Sequence, residues 1–320
     1  MKKNILIILF GISTFISCNS TKSISIKDVE NSQNIEETTK IITELASDKY
    51  EGRYPGTKTY DDAVNFVESF LKENNINPFY NNCYKDTLLV NNKVSYNIVG
   101  LIGKKRKNKE YILLGAHLDH LGKSRNRFDS VYNGANDNAS GVTAILQIAK
   151  ELNKHKFKQN IIIALFTGEE EGLIGSEHLA KRLKKEGVKL KYVLNIDMIG
   201  TPPSTTLKNK VYITGYKKSN CASEINKTLN KEFIYFWKEE SFFGVFYMSD
   251  NYPFYKTFKI PSHTISTFNF DNYKQFHKTD DEIKQLDIQN INDIINSLTF
   301  SIYKLLANNI DIKNTQVQNK

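Results

Sequence analysis

YILLGAHLDHLG at residues 111–122 and NGANDNASGV at residues 133–142 are the two stretches on which the fold turns. The apolar run Tyr111, Ile112, Leu113, Leu114 reads as a short buried strand, and Gly115 and Ala116 allow close backbone approach where it ends. His117 and Asp119 sit at its C-terminal edge. Two residues apart on an extended backbone, they share a face, so the carboxylate can orient the imidazole or itself approach a metal. Asp137 lies in the second stretch, just ahead of a helical pattern formed by Val142, Ile145, Leu146, Ile148 and Ala149. A Gly/Asn-rich turn capping a helix explains such residues equally well when taken alone.

Working outward, apolar spacing predicts helices near residues 36–45, 61–73, 141–153, 173–185 and 288–306. Strands are predicted near 86–90, 94–101, 160–166, 192–196, 210–214 and 262–268. Strands alternating with helices over residues 36–307, with no internal repeat or linker, predict a single α/β domain around a largely parallel sheet. In such sheets functional residues gather beyond the strands' C-terminal ends. Acidic residues fall there: Glu169 and Glu170 after IIIALF, and Asp197 after YVLNI.

The 320 residues carry a formal charge of +9, with 40% apolar and 12% aromatic side chains. Lysines are interspersed with acids and no concentrated basic stripe occurs, which argues against a nucleic-acid partner. Residues 1–18 begin with Met1-Lys2-Lys3 and continue as an apolar run too short to span a bilayer, the form of an export signal. FISC at 15–18 resembles the lipobox of bacterial lipoproteins, with Phe15 in place of the usual leucine. That resemblance implies lipidation of Cys18, attachment to the cell-envelope membrane, and passage to the outer membrane permitted by Asn19. Residues 19–35 read as a polar tether and 308–320 as a disordered tail. Cys83 and Cys221 establish neither a disulfide nor a zinc-thiolate motif.

The sequence thus offers His117, Asp137, Glu170, Asp197 and His277, all at strand ends or in adjoining loops, as imidazole and carboxylate ligands for a pair of zinc ions sharing one carboxylate. Glu169 is then free to act as a general base. His120, His155, His178 and His263 read as surface or packing residues.

GAHLDHLG, NGANDNASGV, FTGEEEGLIGS, VLNIDMIG and FHKTDDEI, in this order, resemble the M28 family of co-catalytic zinc aminopeptidases over roughly residues 40–305, and SDNYPFY at 249–255 matches a further recurrent segment. The resemblance implies a central mixed sheet flanked by helices and a site binding two Zn2+. One ion falls to His117 and Asp197, the other to Glu170 and His277, with Asp137 bridging, Glu169 as base and Asp119 as the partner of His117. It also implies peptide substrates with a free N-terminus. In one departure, Phe276 stands where many relatives have a tyrosine able to stabilise a tetrahedral intermediate, which leaves Tyr247 or Tyr252 to replace that hydroxyl. No domain-length insert separates the motifs. The rival readings are a one-zinc glutaminyl cyclase, a carboxypeptidase of the same family, and a non-catalytic peptide-binding lipoprotein. Retention of all five ligands and of Glu169 favours hydrolysis.

Overall fold

The computed structural model describes residues 24–32, 34–105, 109–124 and 129–315; Cys18 and the export signal lie outside the described residues. Eight strands form one sheet: β1 (Asn77–Pro78), β2 (Lys85–Val90), β3 (Lys93–Ile102), β4 (Glu110–His117), β5 (Asn160–Phe166), β6 (Lys189–Ile196), β7 (Tyr212–Ile213) and β8 (Ser262–Ser266). The order across it is β1-β3-β5-β4-β6-β8-β7, with β2 pairing to β3. Nine helices accompany it among the described residues: α1 (Ile26–Ser32), α2 (Ile35–Leu45), α3 (Lys58–Glu73), α4 (Gly141–Leu152), α5 (Ile174–Lys185), α6 (Cys221–Leu229), α7 (Glu240–Phe243), α8 (Asn251–Phe258) and α9 (Ile288–Ala307).

The sheet corrects one expectation. It is mixed but not largely parallel: β3 runs antiparallel to β1, β2 and β5, and β7 antiparallel to β8, while only β5-β4-β6-β8 are parallel to one another. The physical reason lies in the connections. Helical crossovers through α4 and α5 return the chain to the same edge and force β4, β5 and β6 to be parallel. Between β2 and β3 stand only Asn91 and Asn92, with φ of 49° and 61°. That is a two-residue hairpin turn, which Asn tolerates and which makes the pair antiparallel.

β4 and β5 are apolar and buried over nearly their whole lengths because both sheet faces are covered. Ile112, Leu114, Ile161 and Ile163 pack on one side with α4 and α9, through Ile145, Ile148, Ile294 and Leu298. Leu113, Ile162, Ala164 and Phe166 pack on the other with Leu179 and Leu183 of α5 and Phe254 of α8. Both described cysteines are unpaired, Cys83 exposed and Cys221 buried. Beyond α9, Ile312 is buried and Lys313 and Thr315 exchange backbone hydrogen bonds with Asn220 and Lys218. No helix among the described residues is long and apolar enough to cross a membrane.

Candidate metal centre and its cavity

Parallel strands β4, β5 and β6 end on the same side of the sheet, which brings His117, the 167–173 loop and Asp197 together. The loops at 133–140 and 267–282 close over them. His117 Nε2 lies 3.2 Å from Asp137 Oδ1 and 3.4 Å from Asp197 Oδ1. His277 Nε2 lies 3.3 Å from Asp137 Oδ2 and 3.2 Å from Glu170 Oε2. Four donor atoms held about 2.0–2.1 Å from a zinc ion in a tetrahedron stand about 3.3–3.4 Å from each other. The observed spacings match such edges, and Asp137 contributes one oxygen to each set. Each imidazole thus stands at such a distance from two carboxylates, and the two clusters, which share Asp137, are consistent with a site for two metal ions.

His120 also belongs to this cluster, contrary to its sequence reading as a surface or packing residue. With Asp137 and Glu170 it forms a second possible set of metal ligands. Its geometry points elsewhere. Nδ1 stands 2.8 Å from Glu170 Oε1, a hydrogen-bond length, and 3.9 Å from Asp137 Oδ2. The ring donates to the outer oxygen of Glu170 and leaves Oε2 aimed at His277.

Asp119 acts differently from expectation as well. The Nδ1 of His117 lies 3.1 Å from the main-chain carbonyl of Asp119 and 4.0 Å from its carboxylate. With Nδ1–H donating to that carbonyl, Nε2 faces Asp137 and Asp197. The carboxylate of Asp119 instead accepts the N–H groups of Glu169 and Glu170, at 3.2 and 3.4 Å, and sets the loop that carries both.

Asp281 was not singled out by sequence. Fully buried, it accepts the N–H of Asn136 at 2.7 Å and of Asp137 at 3.0 Å, while the Tyr273 hydroxyl donates to it at 2.6 Å. It thereby locks the loop bearing Asp137 to the loop bearing His277. The flanking asparagines complete the frame. Asn136 Oδ1 accepts from Gly200 N–H at 2.7 Å, and Asn138 bridges Met198 N–H, Gly141 N–H and Ile196 O. A side chain at Gly141 would collide with Asn138 Oδ1 and Ile196 O, so only glycine starts α4 so close to β6.

The electrostatics call for cations. Asp119, Asp137, Asp250 and Asp281 are buried around the site, with Glu169, Glu170 and Asp197 on the cavity wall. The guanidinium of Arg53 lies buried behind them, donating to the carbonyls of Leu45, Leu118, Asn133 and Gly134 rather than to a carboxylate. Burial raises Glu169 well above the usual carboxylate range, with Asp250 and Asp197 adding repulsion. Burial opposes a charge on His117, yet Glu169 and Asp197 outweigh it and raise its pKa well above that of a free imidazole. A cluster so rich in carboxylates favours the binding of positive charge.

A cavity of about 470 Å³ opens over these groups. Glu169, Glu170, Asp197 and His277 line one side, and Met198, Val245, Tyr247, Met248, Phe268 and Phe276 line much of the rest. Phe276 stacks on His277, centroid to centroid 3.9 Å. Of the two tyrosines considered as replacements for its missing hydroxyl, Tyr247 is a lining residue and Tyr252 is not.

Comparison with known proteins bears on the family and the fold. The model of Peptidase family M28 matches residues 97–299, well over half of the chain. A "probable zinc metalloprotease" of Pyrenophora teres is 36% identical over 99 residues, 31% of this chain and 20% of that protein. The chain thus spans about a fifth of the length of the curated relatives it matches first. Among solved structures, the LapA aminopeptidase of Legionella pneumophila superposes with a TM-score of 0.69 at 21% identity, covering 88% of this chain and 74% of that one. A glutaminyl cyclase of Porphyromonas gingivalis gives 0.64 at 16% identity, covering 87% and 99%. These structural likenesses concern the fold.

Proposed function

We propose a reaction for this chain from the fact that it belongs to peptidase family M28: zinc-dependent hydrolysis of peptides from the N-terminus, with two Zn2+ and Glu169 as general base. The observation that carries it is the pair of donor sets at tetrahedral spacing that share Asp137, beside an unligated glutamate at a cavity mouth. His117, Asp137 and Asp197 would hold one ion, and Asp137, Glu170 and His277 the other. When bound, the ions supply Lewis acidity toward water and the scissile carbonyl.

The remaining work falls to the chain's own side chains. Glu169 takes a proton from the attacking water and returns it to the leaving amine. The apolar side of the cavity accepts the N-terminal side chain and excludes water from the reacting bond. Tyr247, a lining residue of the cavity, is the candidate to replace the hydroxyl that Phe276 lacks as donor to the developing oxyanion. A one-zinc glutaminyl cyclase has no use for a complete His117-Asp137-Asp197 set, and its presence favours the hydrolase.

Glu169→Gln is expected to retain two zinc ions per chain by elemental analysis while losing about 10²–10⁴-fold in kcat. Near-normal turnover would remove Glu169 from the role. We further propose that residues 36–307 form the catalytic domain and that the chain is exported, with Cys18 lipidated and the domain tethered to the cell envelope. Mass spectrometry of the mature N-terminus tests this, and an unmodified or uncleaved Cys18 would refute it.

A further inference from the structure

The aromatic side chains of the C-terminal half form one connected wall. Phe276, stacked on His277, meets Phe268 at 4.7 Å between centroids. Phe268 meets Phe270 at 4.7 Å, Phe270 meets Phe243 at 4.9 Å, and Phe243 meets Phe242 at 5.2 Å. The inner rings line the cavity. The outer end stands open: Phe242 is 85% exposed, Met248 58%, Tyr247 55% and Phe243 38%. Gly244, at φ 66°, turns the chain from α7 into residues 245–247; Val245, Tyr247 and Met248 line the cavity, and α7 reaches it through the contact of Phe243 with Phe270.

Core packing accounts for the inner rings but not for this end. Phe242 touches the ring of Phe243 and presents most of its surface to water, and Tyr247 and Met248, a few residues on, are also exposed. The rim is also continuous with the cavity, because Tyr247 and Met248 belong to both. An exopeptidase that seats one N-terminal residue in the cavity must lead the rest of the peptide out across the mouth.

We infer that the rim formed by Phe242, Phe243, Tyr247 and Met248 binds apolar side chains of the substrate beyond the bond that is cut. The substrate class is then peptides that carry aromatic or large aliphatic residues shortly after their N-terminal residue. This rests on the exopeptidase reading of the cavity. Rigid aromatic rings suit the task, since they offer contact area with little rotamer entropy to lose.

The test compares two peptides alike except for Phe or Ser at the third and fourth positions. Both kcat/KM and binding, by fluorescence anisotropy, are measured on the zinc-loaded full chain. The Phe peptide is expected to be favoured about tenfold, and Phe242→Ala to bring that ratio close to one, with Phe242→Leu between. Phe242 is too exposed for its truncation to unfold the domain. Equal kcat/KM for both peptides, or a ratio unmoved by Phe242→Ala, would overturn the inference and leave the hydrolase reading intact. Tighter binding of the Phe peptide through Phe242 with neither peptide cleaved would do the reverse. A ratio of one together with Phe242-dependent binding to phosphatidylethanolamine vesicles, or Phe242-dependent dimerisation, would assign the rim to a membrane or a second copy instead.

Discussion

Replacing Asp281 by asparagine probes how the bridging carboxylate is held. Oδ1 of Asp281 accepts from Asn136 N–H and the Tyr273 hydroxyl, and Oδ2 accepts from Asp137 N–H at 3.0 Å. An asparagine keeps one acceptor oxygen. Whichever way its amide settles, an NH2 group faces a backbone N–H in a buried setting. A hydrogen bond to a charged group contributes about 1.5–3 kcal/mol, and a buried donor without a partner costs about 1–3 kcal/mol. Against this, burial already raises the pKa of Asp281, so discarding its charge recovers part of the loss. The net expectation is about 2 kcal/mol less stability for the metal-free chain. Oxygen kept at the Oδ1 place retains two of the three bonds, so the amide settles that way and the released N–H is that of Asp137; zinc affinity should then fall about 10–100-fold, as for other groups that orient a ligand. Tyr273→Phe is the control, since it removes one bond to Asp281 and leaves the Asp137 N–H paired. Its expected cost is about 1 kcal/mol of stability with less than a threefold change in affinity. Urea unfolding and competition with a chromophoric chelator provide the two readouts. Asp281→Asn with unchanged zinc affinity, or with no more effect on affinity than Tyr273→Phe, would refute the assignment.

Three further outcomes follow from the same geometry. His120→Ala should weaken one of two zinc-binding steps about tenfold or more and leave the other unchanged, because it frees Glu170 alone; equal weakening of both steps in a chelator titration would contradict this. His263, pushed down to about 4 by burial, donates from Nδ1 to Thr214 O and accepts from Ser219 Oγ. Its unfolded-state pKa is near 6.5, so stability is unaffected above that value. It falls by up to about 3 kcal/mol as pH drops from 6.5 to 4, where the unfolded chain alone takes up the proton; His263→Gln, measured by urea unfolding at pH 7 and 5, should show a shallower pH dependence, and an identical one would refute the role. Because Tyr247 is the proposed oxyanion donor, Tyr247→Phe is expected to lower kcat by about 10²-fold while KM changes little; an unchanged kcat would exclude it.

What the sequence made legible was the part of the site that sits on buried parallel strands. An apolar run that stops at a histidine or an acid marks a strand's C-terminal end, and β4, β5 and β6 each carry that mark. The sheet's edges were less legible because strand direction is set by connections, and Asn91-Asn92 is a short signal inside a polar stretch. His120 escaped notice because period-two alternation places it opposite His117 and Asp119. The strand ends at His117, though, and the chain bends beyond it, which carries His120 back into the site. Asp281, Asn136 and Asn138 act on backbone groups far away in sequence, and no local periodicity encodes such contacts. Arg53 likewise stands in an irregular loop whose partners are carbonyls.

The central claim is that this bridged pair of ligand sets serves removal of residues from a free N-terminus. It is tested most directly by mass spectrometry of matched peptides with free and acetylated N-termini, incubated with the zinc-loaded protein. The account predicts stepwise shortening from the N-terminus of the free peptide and none of the acetylated one. Cleavage of both, loss from the C-terminus, or cyclisation of an N-terminal glutamine without hydrolysis would contradict it.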